Sequence, residues 1–436
     1  MMVKSGVAVL VALLFVCSPR ANAQAVPFLL SSTSSRSNGM GGVSAGIVTD
    51  DPLASMMNPA QLGLQSLNTS YSFGGYYSDW SPEIPAANLS KYDYFSVAFD
   101  KGLILDRDSL GIPRMGLGFG YSRIVGISNY SYLIMTIDGL RPIIYSLSQS
   151  SDQLTLSYGV DYLVKASFGL TYKHIGSNMR YEDIGRASPN YTTDAYDFGV
   201  LFDIPVAAII SKASDSRFTI ASNYDPFFDF TFGMSKNNLG GGYINNFDVY
   251  MTEPVPRYAR VGMGLKLGVV TKTETGTFCP ISFTWTVEAN DLLLKLIPAQ
   301  TDTIIDPATG LPVVRVTYDP HWEPQSGIGD IDFMNNVFFG RSNGAITTKR
   351  GWELTLFETI SIRGSSVDQA PDLGEDHYNT IGLGVNCSQI IRWLTKQPSE
   401  HGSISHLNVL FDINGFEQGG GNSDFTLMSL TVTMSH

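Results

Sequence analysis

Residues that could carry out catalytic or metal chemistry are scattered in this chain of 436 residues. Its six histidines include no His-Glu-x-x-His pair and no His-Asp partner for a nucleophile elbow. The three cysteines form no Cys-x-x-Cys pair of the kind that holds zinc. The run Gly240, Gly241, Gly242 lacks the lysine of a phosphate-binding loop. The sequence therefore predicts that the protein is not an enzyme and carries neither a metal nor a cofactor.

The charge balance limits the kinds of partner. The chain has 28 Lys+Arg against 40 Asp+Glu, which gives a formal net charge of -12. Because phosphate neutralisation requires clustered Lys and Arg, and no basic run is present, nucleic acid is excluded as a partner. Charged residues make up only 16% of the chain, which excludes a disordered polyelectrolyte.

Residues 1–23 have the layout of a secretory signal peptide. Lys4 precedes an apolar stretch at 7–16, and the small residues Ala21 and Ala23 end the segment. We therefore expect export and cleavage after Ala23. No later stretch is long and apolar enough for a membrane helix, which leaves a soluble exported protein or a membrane β-barrel.

Along most of the remaining chain, apolar side chains alternate with small or polar ones, which places the two sets on opposite faces of a strand. In the clearest run, residues 260–269, Val, Met and Leu alternate with Arg, Gly and Lys. Similar runs predict about 14 strands, an even number typical of a single-chain outer-membrane barrel. One weaker strand is expected near 217–224, and long connections are expected at 125–152 and 225–256.

A soluble β-sandwich alternates as well, but two features favour the barrel. The polar faces carry Gly and charged residues inside long strands, which suits a lumen better than a solvated face. Long connections also alternate with tight ones, as in barrels with short periplasmic turns and long external loops. We therefore predict an all-β protein over residues 68–436, a transmembrane antiparallel β-barrel in the lipid of the bacterial outer membrane.

Residues 24–67 precede the first strand and are rich in Ser, Gly and Ala. In order, they contain Gly39-Met40-Gly41-Gly42, Asp50-Asp51-Pro52 and Asn58-Pro59-Ala60. These motifs resemble the N-terminal signature of the FadL-type outer-membrane transporters and their PorV-like relatives, although Gln61 stands where the family usually has Gly. The resemblance implies a barrel of about 14 strands whose lumen holds an N-terminal plug, formed here by residues 24–67.

A second motif is similar to the PorV-like branch alone. The sequence RGWELTLFETISIRGSS at 350–366, followed by TIGLGV at 380–385, looks like a late pair of strands in that branch. Glu353 and Arg363 lie on this pair.

Three glycines of the N-terminal motif suit a plug. Gly39, Gly41 and Gly42 allow left-handed backbone conformations and a close approach to the barrel wall. A segment that fills a narrow lumen needs both properties.

The other motif residues suit turns and caps. Asn58 can cap a turn, while Pro59, just before Ala60, fixes its own φ. Asp50 and Asp51 stand beside a proline, either as caps of a helix or turn or as groups that contact a ligand or an ion.

The resemblance implies uptake or passage of hydrophobic compounds such as long-chain fatty acids. The rival class is an interaction protein, since PorV-like relatives are outer-membrane docking components of type IX protein secretion and contact other secretion-system proteins. A continuous apolar path through the lumen would favour transport. A lumen sealed by salt bridges, with a large exposed apolar loop patch, would favour docking.

Aromatic clusters in two predicted loops are candidate contacts for a ligand or a partner, and loop packing or an aromatic belt at the membrane interface would explain them equally well. They consist of Phe227, Phe228, Phe230, Phe338 and Phe339. Charged residues in the predicted lumen either meet a ligand carboxylate or pair with one another in a structural network. They are Lys165, Lys173, Arg260, Lys266, Glu353 and Arg363.

Overall fold

The structure is a computed structural model. It describes residues 26–30, 32–78, 89–104, 113–136, 139–181, 190–215, 219, 223–245, 252–273, 276–297, 300–305, 312–318, 321–343, 345–370, 377–388, 390, 407–418 and 427–435. The predicted signal peptide, residues 1–23, lies outside the described residues. Within them, no helix is both long and apolar enough to cross a bilayer.

Fourteen strands form a closed antiparallel barrel in which the last strand pairs with the first. The predicted fold class, an antiparallel barrel of about 14 strands, is confirmed. The first seven wall strands are β1 Thr69–Ser78, β2 Leu89–Ile104, β3 Arg114–Thr136, β4 Gly139–Asp161, β5 Lys165–Tyr181, β6 Asn190–Pro205 and β7 Tyr224–Leu239. The other seven are β10 Tyr258–Thr273, β11 Gly276–Leu292, β16 Ile346–Leu356, β17 Ile360–Asp368, β18 His377–Asn386, β19 Leu407–Gln418 and β20 Leu427–Ser435.

Three small sheets lie in the connections from β7 to β10 and from β11 to β16. They pair β8 Tyr243–Asn245 with β9 Thr252–Pro254, β12 Leu294–Ile297 with β15 His321–Pro324, and β13 Gln300–Ile305 with β14 Pro312–Tyr318. A π-helix, Phe333–Phe338, follows β15, and an α-helix, Val206–Ser214, joins β6 to β7. We call the barrel end that carries these sheets the loop end. The opposite end, with the connections 162–164 and 357–359, is the turn end.

The two faces of the wall differ in polarity. On β10, Arg260 on the inner face is 1% exposed, whereas Leu267 on the outer face is 44% exposed. Similar exposed apolar side chains occur on the outer face around the barrel, such as Leu154 on β4 and Ile381 on β18. Acyl chains of a bilayer are the usual cover for an apolar surface of this extent.

Residues 26–30 and 32–67 lie inside the barrel, and we call them the inner segment. It contains the 3-10 helices Pro27–Leu29 and Pro52–Met56 and the α-helices Ser35–Gly39 and Ala60–Gln65. The first α-helix contacts β17 to β20, and the second contacts β2 to β6. Most of the described side chains of the inner segment are buried.

Glycines allow the inner segment to touch the backbone of the wall. A Cβ atom added to Gly46 would lie 2.3 Å from the carbonyl carbon of Gly262 on β10. A Cβ atom added to Gly159 on β4 would lie 2.1 Å from the carbonyl oxygen of Gly63. Because a side chain at these positions would force the two backbones apart, the glycines set how closely the inner segment fits.

We expect Gly46→Ala to lower the thermal unfolding temperature of the detergent-solubilised protein. The added methyl group would meet the β10 backbone, at a cost of about 1–3 kcal/mol. Gly75→Ala on β1 is the matched control, since nothing lies within 4 Å of a Cβ atom there. Intrinsic fluorescence measures the unfolding temperature of both variants. Equal unfolding temperatures would contradict the tight fit.

The prediction for the seventh wall strand is wrong. This strand is β7, Tyr224–Leu239, rather than 217–224, so the predicted connection at 225–256 begins inside the wall. Phe227, Phe228 and Phe230 therefore lie in a wall strand and not in a loop. Aromatic residues stand on both parities here, directly after a proline, and this hides the period of two.

The predicted long connection at 125–152 is also wrong. β3 and β4 have 23 residues each and stay paired from Arg114↔Asp161 to Thr136↔Gly139. Their backbones satisfy each other's hydrogen bonds, so the distal part of the hairpin needs no apolar alternation. The sequence gives no periodic signal there for that reason.

Candidate functional site

A buried network of four charged side chains joins the inner segment to the wall. Arg36 Nη2 lies 2.6 Å from Glu353 Oε1 on β16, and Arg36 Nε lies 3.0 Å from Oε2. Glu353 also accepts a hydrogen bond from Arg363 Nε on β17 at 2.5 Å. Arg363 Nη1 in turn contacts Asp412 on β19. Two guanidinium groups and two carboxylates thus compensate one another inside the barrel.

The network fastens one sector of the inner segment. Arg36 is its only member from the inner segment, and the other three come from three different wall strands. Because loss of one member leaves a buried charge without compensation, breaking such a network costs about 3–5 kcal/mol.

We expect Arg36→Met to destabilise the barrel by about 3–5 kcal/mol, because Glu353 and Asp412 would share one guanidinium. The control is Arg123→Met, which removes a surface pair with Asp152 at 3.5 Å and should cost less than about 1 kcal/mol. Urea unfolding in detergent micelles measures both. A cost for Arg36→Met no greater than that of the control would contradict the fastening role.

A second charged pair holds the backbone of the inner segment. Glu288 Oε2 on β11 accepts hydrogen bonds from the N–H groups of Ser44 and Ala45, both at 2.7 Å. Arg260 Nη1 on β10 lies 3.1 Å from Glu288 Oε1, and its Nη2 donates to the Leu30 carbonyl at 3.0 Å. Arg260 and Glu288 thus compensate each other's charge and also bind the backbone of the inner segment.

Lys173 belongs to a third buried pair. Its Nζ lies 2.7 Å from Asp197 Oδ2 and donates to Asn238 Oδ1 at 2.9 Å. Asn237 Nδ2 donates to Asp197 Oδ2 and to the Met57 carbonyl, both at 3.0 Å. This cluster also ties the wall to the inner segment.

The remaining predicted lumen cations lie toward the turn end. Lys165 Nζ is 2.8 Å from Asp203 Oδ2 and is partly exposed. Lys266 is exposed, and its Nζ lies 5.8 Å from the centroid of the Phe227 ring. The structure thus places Glu353 and Arg363 in one network. The three lysines and the one arginine from β5 and β10 lie elsewhere in the barrel.

The motif glycines occupy places where the chain turns or touches the wall. Gly41 and Gly42 have φ of 80° and 75°. A Cβ atom added to Gly39 would lie 3.2 Å from Gly382 Cα on β18. Left-handed backbone and close approach both require glycine here.

The Asn-Pro-Ala motif begins the second α-helix of the inner segment. Asn58 Oδ1 accepts a hydrogen bond from the Ala60 N–H at 3.1 Å, and Pro59 has φ of -55°. The next residue, Gln61, donates from Nε2 to the Ser44 carbonyl at 2.9 Å. Sequence reasoning missed this role, because a buried amide that bridges two parts of one segment leaves no local pattern.

Asp51 caps the 3-10 helix Pro52–Met56, whereas Asp50 is exposed. Asp51 Oδ1 accepts a hydrogen bond from the Leu53 N–H at 3.0 Å, and Oδ2 accepts one from Ser34 Oγ. Burial raises the pKa of the Asp51 carboxyl from 3.8 to about 6, against the opposing effect of these hydrogen bonds.

The raised pKa predicts that Asp51 makes the fold less stable as pH increases. The folded state favours the protonated carboxyl. The stability that Asp51 contributes is therefore fully present below about pH 4 and is lost as the pH rises through 6. Relative to Asp51→Asn, the wild-type chain should lose roughly 2–3 kcal/mol of stability between pH 4 and 7. Parallel unfolding profiles of the two chains over this range would show that Asp51 does not titrate in this way.

An apolar cluster fills the lumen toward the loop end. The wall and its loops contribute Tyr76, Ala98, Ile124, Ile175, Ala195, Ile244 and Val255. The inner segment contributes Val26, Phe28, Leu29, Leu53, Met56 and Met57. The Tyr258 hydroxyl donates to the Leu29 carbonyl at 2.9 Å and holds the segment at this level.

The predicted aromatic residues separate into two places. Phe227 lies on the inner parity of β7, and Phe228 and Phe230 lie on its outer parity. Phe338 and Phe339 lie in the connection from β11 to β16, with ring centroids 5.2 Å apart, and are 51% and 54% exposed. The structure does not bring the two sets together as one ligand site.

Among the described residues, no group of three His, Cys, Asp or Glu side chains could hold a metal ion. No protein-family description matches the sequence, and no curated protein matches it.

Comparison with solved structures gives only weak similarities. The toluene transporter TbuX from Ralstonia pickettii has 12% identity and a TM-score of 0.43, over 94% of this chain and 100% of that chain. The toluene transporter TodX from Pseudomonas putida has 10% identity and a TM-score of 0.37, over 93% and 98%. The transport unit of the autotransporter AIDA-I from Escherichia coli has 7% identity and a TM-score of 0.35, over 84% and 88%. Values at this level assign the chain to no family.

Proposed function

We propose that this protein is a bacterial outer-membrane barrel that passes hydrophobic compounds such as long-chain fatty acids, and that the inner segment is its plug. The observation that carries this proposal is the apolar cluster near the loop end. There the chain covers an apolar stretch of the lumen with its own apolar side chains.

A hydrophobic ligand could replace those side chains without loss of apolar contact. Val26, Phe28 and Leu29 are at most 1% exposed and pack against the apolar wall residues of the cluster. Burial of apolar surface is worth about 25 cal/mol per Å2, whether a ligand or the inner segment supplies it. Exchange of one for the other therefore has a small net cost, which suits reversible uptake.

Passage toward the turn end requires the inner segment to move. Close backbone contacts and three charged clusters occupy the lumen between the apolar cluster and the turn end. The described apolar path is therefore not continuous. In the proposed function, the occupied and open states differ in the position of the inner segment.

The alternative function is docking in protein secretion, as in the PorV-like branch. The charged clusters that seal the lumen favour it, as does an exposed apolar patch in the connection from β11 to β16. This patch consists of Phe333, Met334, Phe338 and Phe339. Transport remains the primary proposal because docking gives the apolar cluster no role beyond packing.

A reversible lock on the inner segment distinguishes the two functions. Asn414 Nδ2 on β19 lies 2.5 Å from Ser35 Oγ, so Ser35→Cys with Asn414→Cys places two thiols near each other. The pair is introduced into a chain with Cys279→Ser and Cys387→Ser and reconstituted in liposomes. We expect saturable uptake of labelled oleate to be lost on oxidation and restored by a reductant.

Ser35→Cys alone is the control and should transport under both conditions. Uptake that continues through the oxidised pair would contradict a moving plug. Absence of saturable uptake by the wild-type chain would contradict transport and leave secretion docking as the function to test.

A further inference from the structure

The connection from β11 to β16 ends in a segment that folds back over the outside of the barrel. We call residues 325–343 the outer strap. Ile331 is 7% exposed and Val337 is 0% exposed, and both pack against outer-face residues of β10 and β11. The wall residues beneath are Ala259, Val261, Met263 and Ala289, all at most 6% exposed.

This cover is confined to the part of the wall near the loop end. Farther along the same strands, Leu267 on β10 is 44% exposed and Ile281 on β11 is 45% exposed. Elsewhere around the barrel, the outer face is exposed to its surroundings, which are proposed above to be lipid. Near the loop end of β10 and β11, the outer strap takes the place of those surroundings.

Hydrogen bonds hold the outer strap at both ends. The Asp330 N–H donates to Asp291 Oδ2 at 2.5 Å, and Arg350 Nε donates to the Gly340 carbonyl at 3.1 Å. Asp332 caps the π-helix by accepting from the Met334 N–H at 2.9 Å. The position of the strap on the wall is thus defined by the fold.

The surface that the outer strap turns away from the wall carries four large apolar side chains, preceded along the chain by the exposed acidic residues Asp330 and Asp332 and followed by the exposed Arg341. Phe333, Met334, Phe338 and Phe339 are 40%, 51%, 51% and 54% exposed. Phe333 also contacts the outer-face residue Phe232, with ring centroids 5.8 Å apart. Next to the aromatic pair, the guanidinium of Arg341 lies 5.4 Å from the centroid of the Phe339 ring.

We infer that this surface of the outer strap binds the membrane lipid, with its four apolar side chains among the acyl chains and Arg341 at the lipid phosphates. The inference rests on the proposed membrane placement of the barrel. The contact between Phe333 and Phe232 makes the strap surface continuous with the outer face of β7. Aromatic rings with an adjacent arginine are the residue types that suit the boundary between acyl chains and headgroups.

Continuity with the outer face is the reason to prefer lipid over a protein partner. Where the strap covers β10 and β11, its own surface becomes the outermost surface of the barrel. Left in water, four large apolar side chains would form the kind of patch that soluble surfaces avoid. The same lipid that covers the rest of the outer face would also cover these four side chains, so no protein partner is needed.

Site-directed spin labelling tests the inference. In the chain with Cys279→Ser and Cys387→Ser, single cysteines are introduced by Phe338→Cys and, as a second strap position, Met334→Cys. Ser326→Cys gives an exposed polar position on the same strap, and Ile381→Cys gives a wall position that is 63% exposed. Each labelled chain is reconstituted in phosphatidylcholine vesicles that contain phosphatidylglycerol.

We expect nitroxides at 334, 338 and 381 to be severalfold more accessible to oxygen than to a water-soluble nickel chelate, and the label at 326 to show the reverse. Nickel access at 334 and 338 equal to that at 326, with 381 still protected, would overturn lipid binding by the strap while the barrel remains in the membrane. Nickel access at 381 as well would overturn the membrane placement itself.

Discussion

The contact between Arg36 and Glu353 is the interaction on which the interior of this barrel depends. The wall side chains of a barrel this wide do not fill its lumen, and here the inner segment occupies the space that they leave. Arg36 supplies the charged side chain through which the inner segment pairs with Glu353 of the wall. Arg363 and Asp412 complete the compensation, and the strands that supply Glu353, Arg363 and Asp412 lie close together through the successive antiparallel pairings of β16 to β19.

The charged and the glycine contacts have complementary effects on the inner segment. Glycine pairs such as Gly46 and Gly262 bring the two backbones together but do little to fix their relative orientation. The Arg260–Glu288 pair fixes the orientation of the inner segment, because it binds specific N–H and carbonyl groups of that segment. Buried charges of this kind specify one arrangement among several that would pack equally well.

The wall could be predicted from the sequence because a strand with one apolar face repeats every two residues. The prediction failed where that physical cause is absent. At Phe227 and Phe228, both faces carry aromatic side chains, and no regular alternation of apolar and polar residues runs through the sequence of the distal β3–β4 hairpin. The charged residues on the inner parity were identifiable, and Glu353 faces Arg363 directly across the β16–β17 hairpin, but the contact of Arg363 with Asp412 spans β18 and has no local pattern.

Other features of the candidate site left no pattern that could be read locally. Gln61 bridges two parts of the inner segment through a single side-chain amide. The outer strap packs Val337 against the wall through a π-helix of six residues, which is too short to produce a clear period in the sequence. Both depend on contacts between distant parts of the chain.

The unequal lengths of the wall strands give the barrel an oblique rim. β3 and β4 have 23 residues each, whereas β17, on another side of the barrel, has nine. At about 3.3 Å per residue, this difference corresponds to roughly 45 Å of strand. The β3–β4 hairpin therefore extends beyond the other wall strands on one side of the barrel, whereas the shortest wall strands, β17 and β20, flank the strands on the side that carries the Arg363 network.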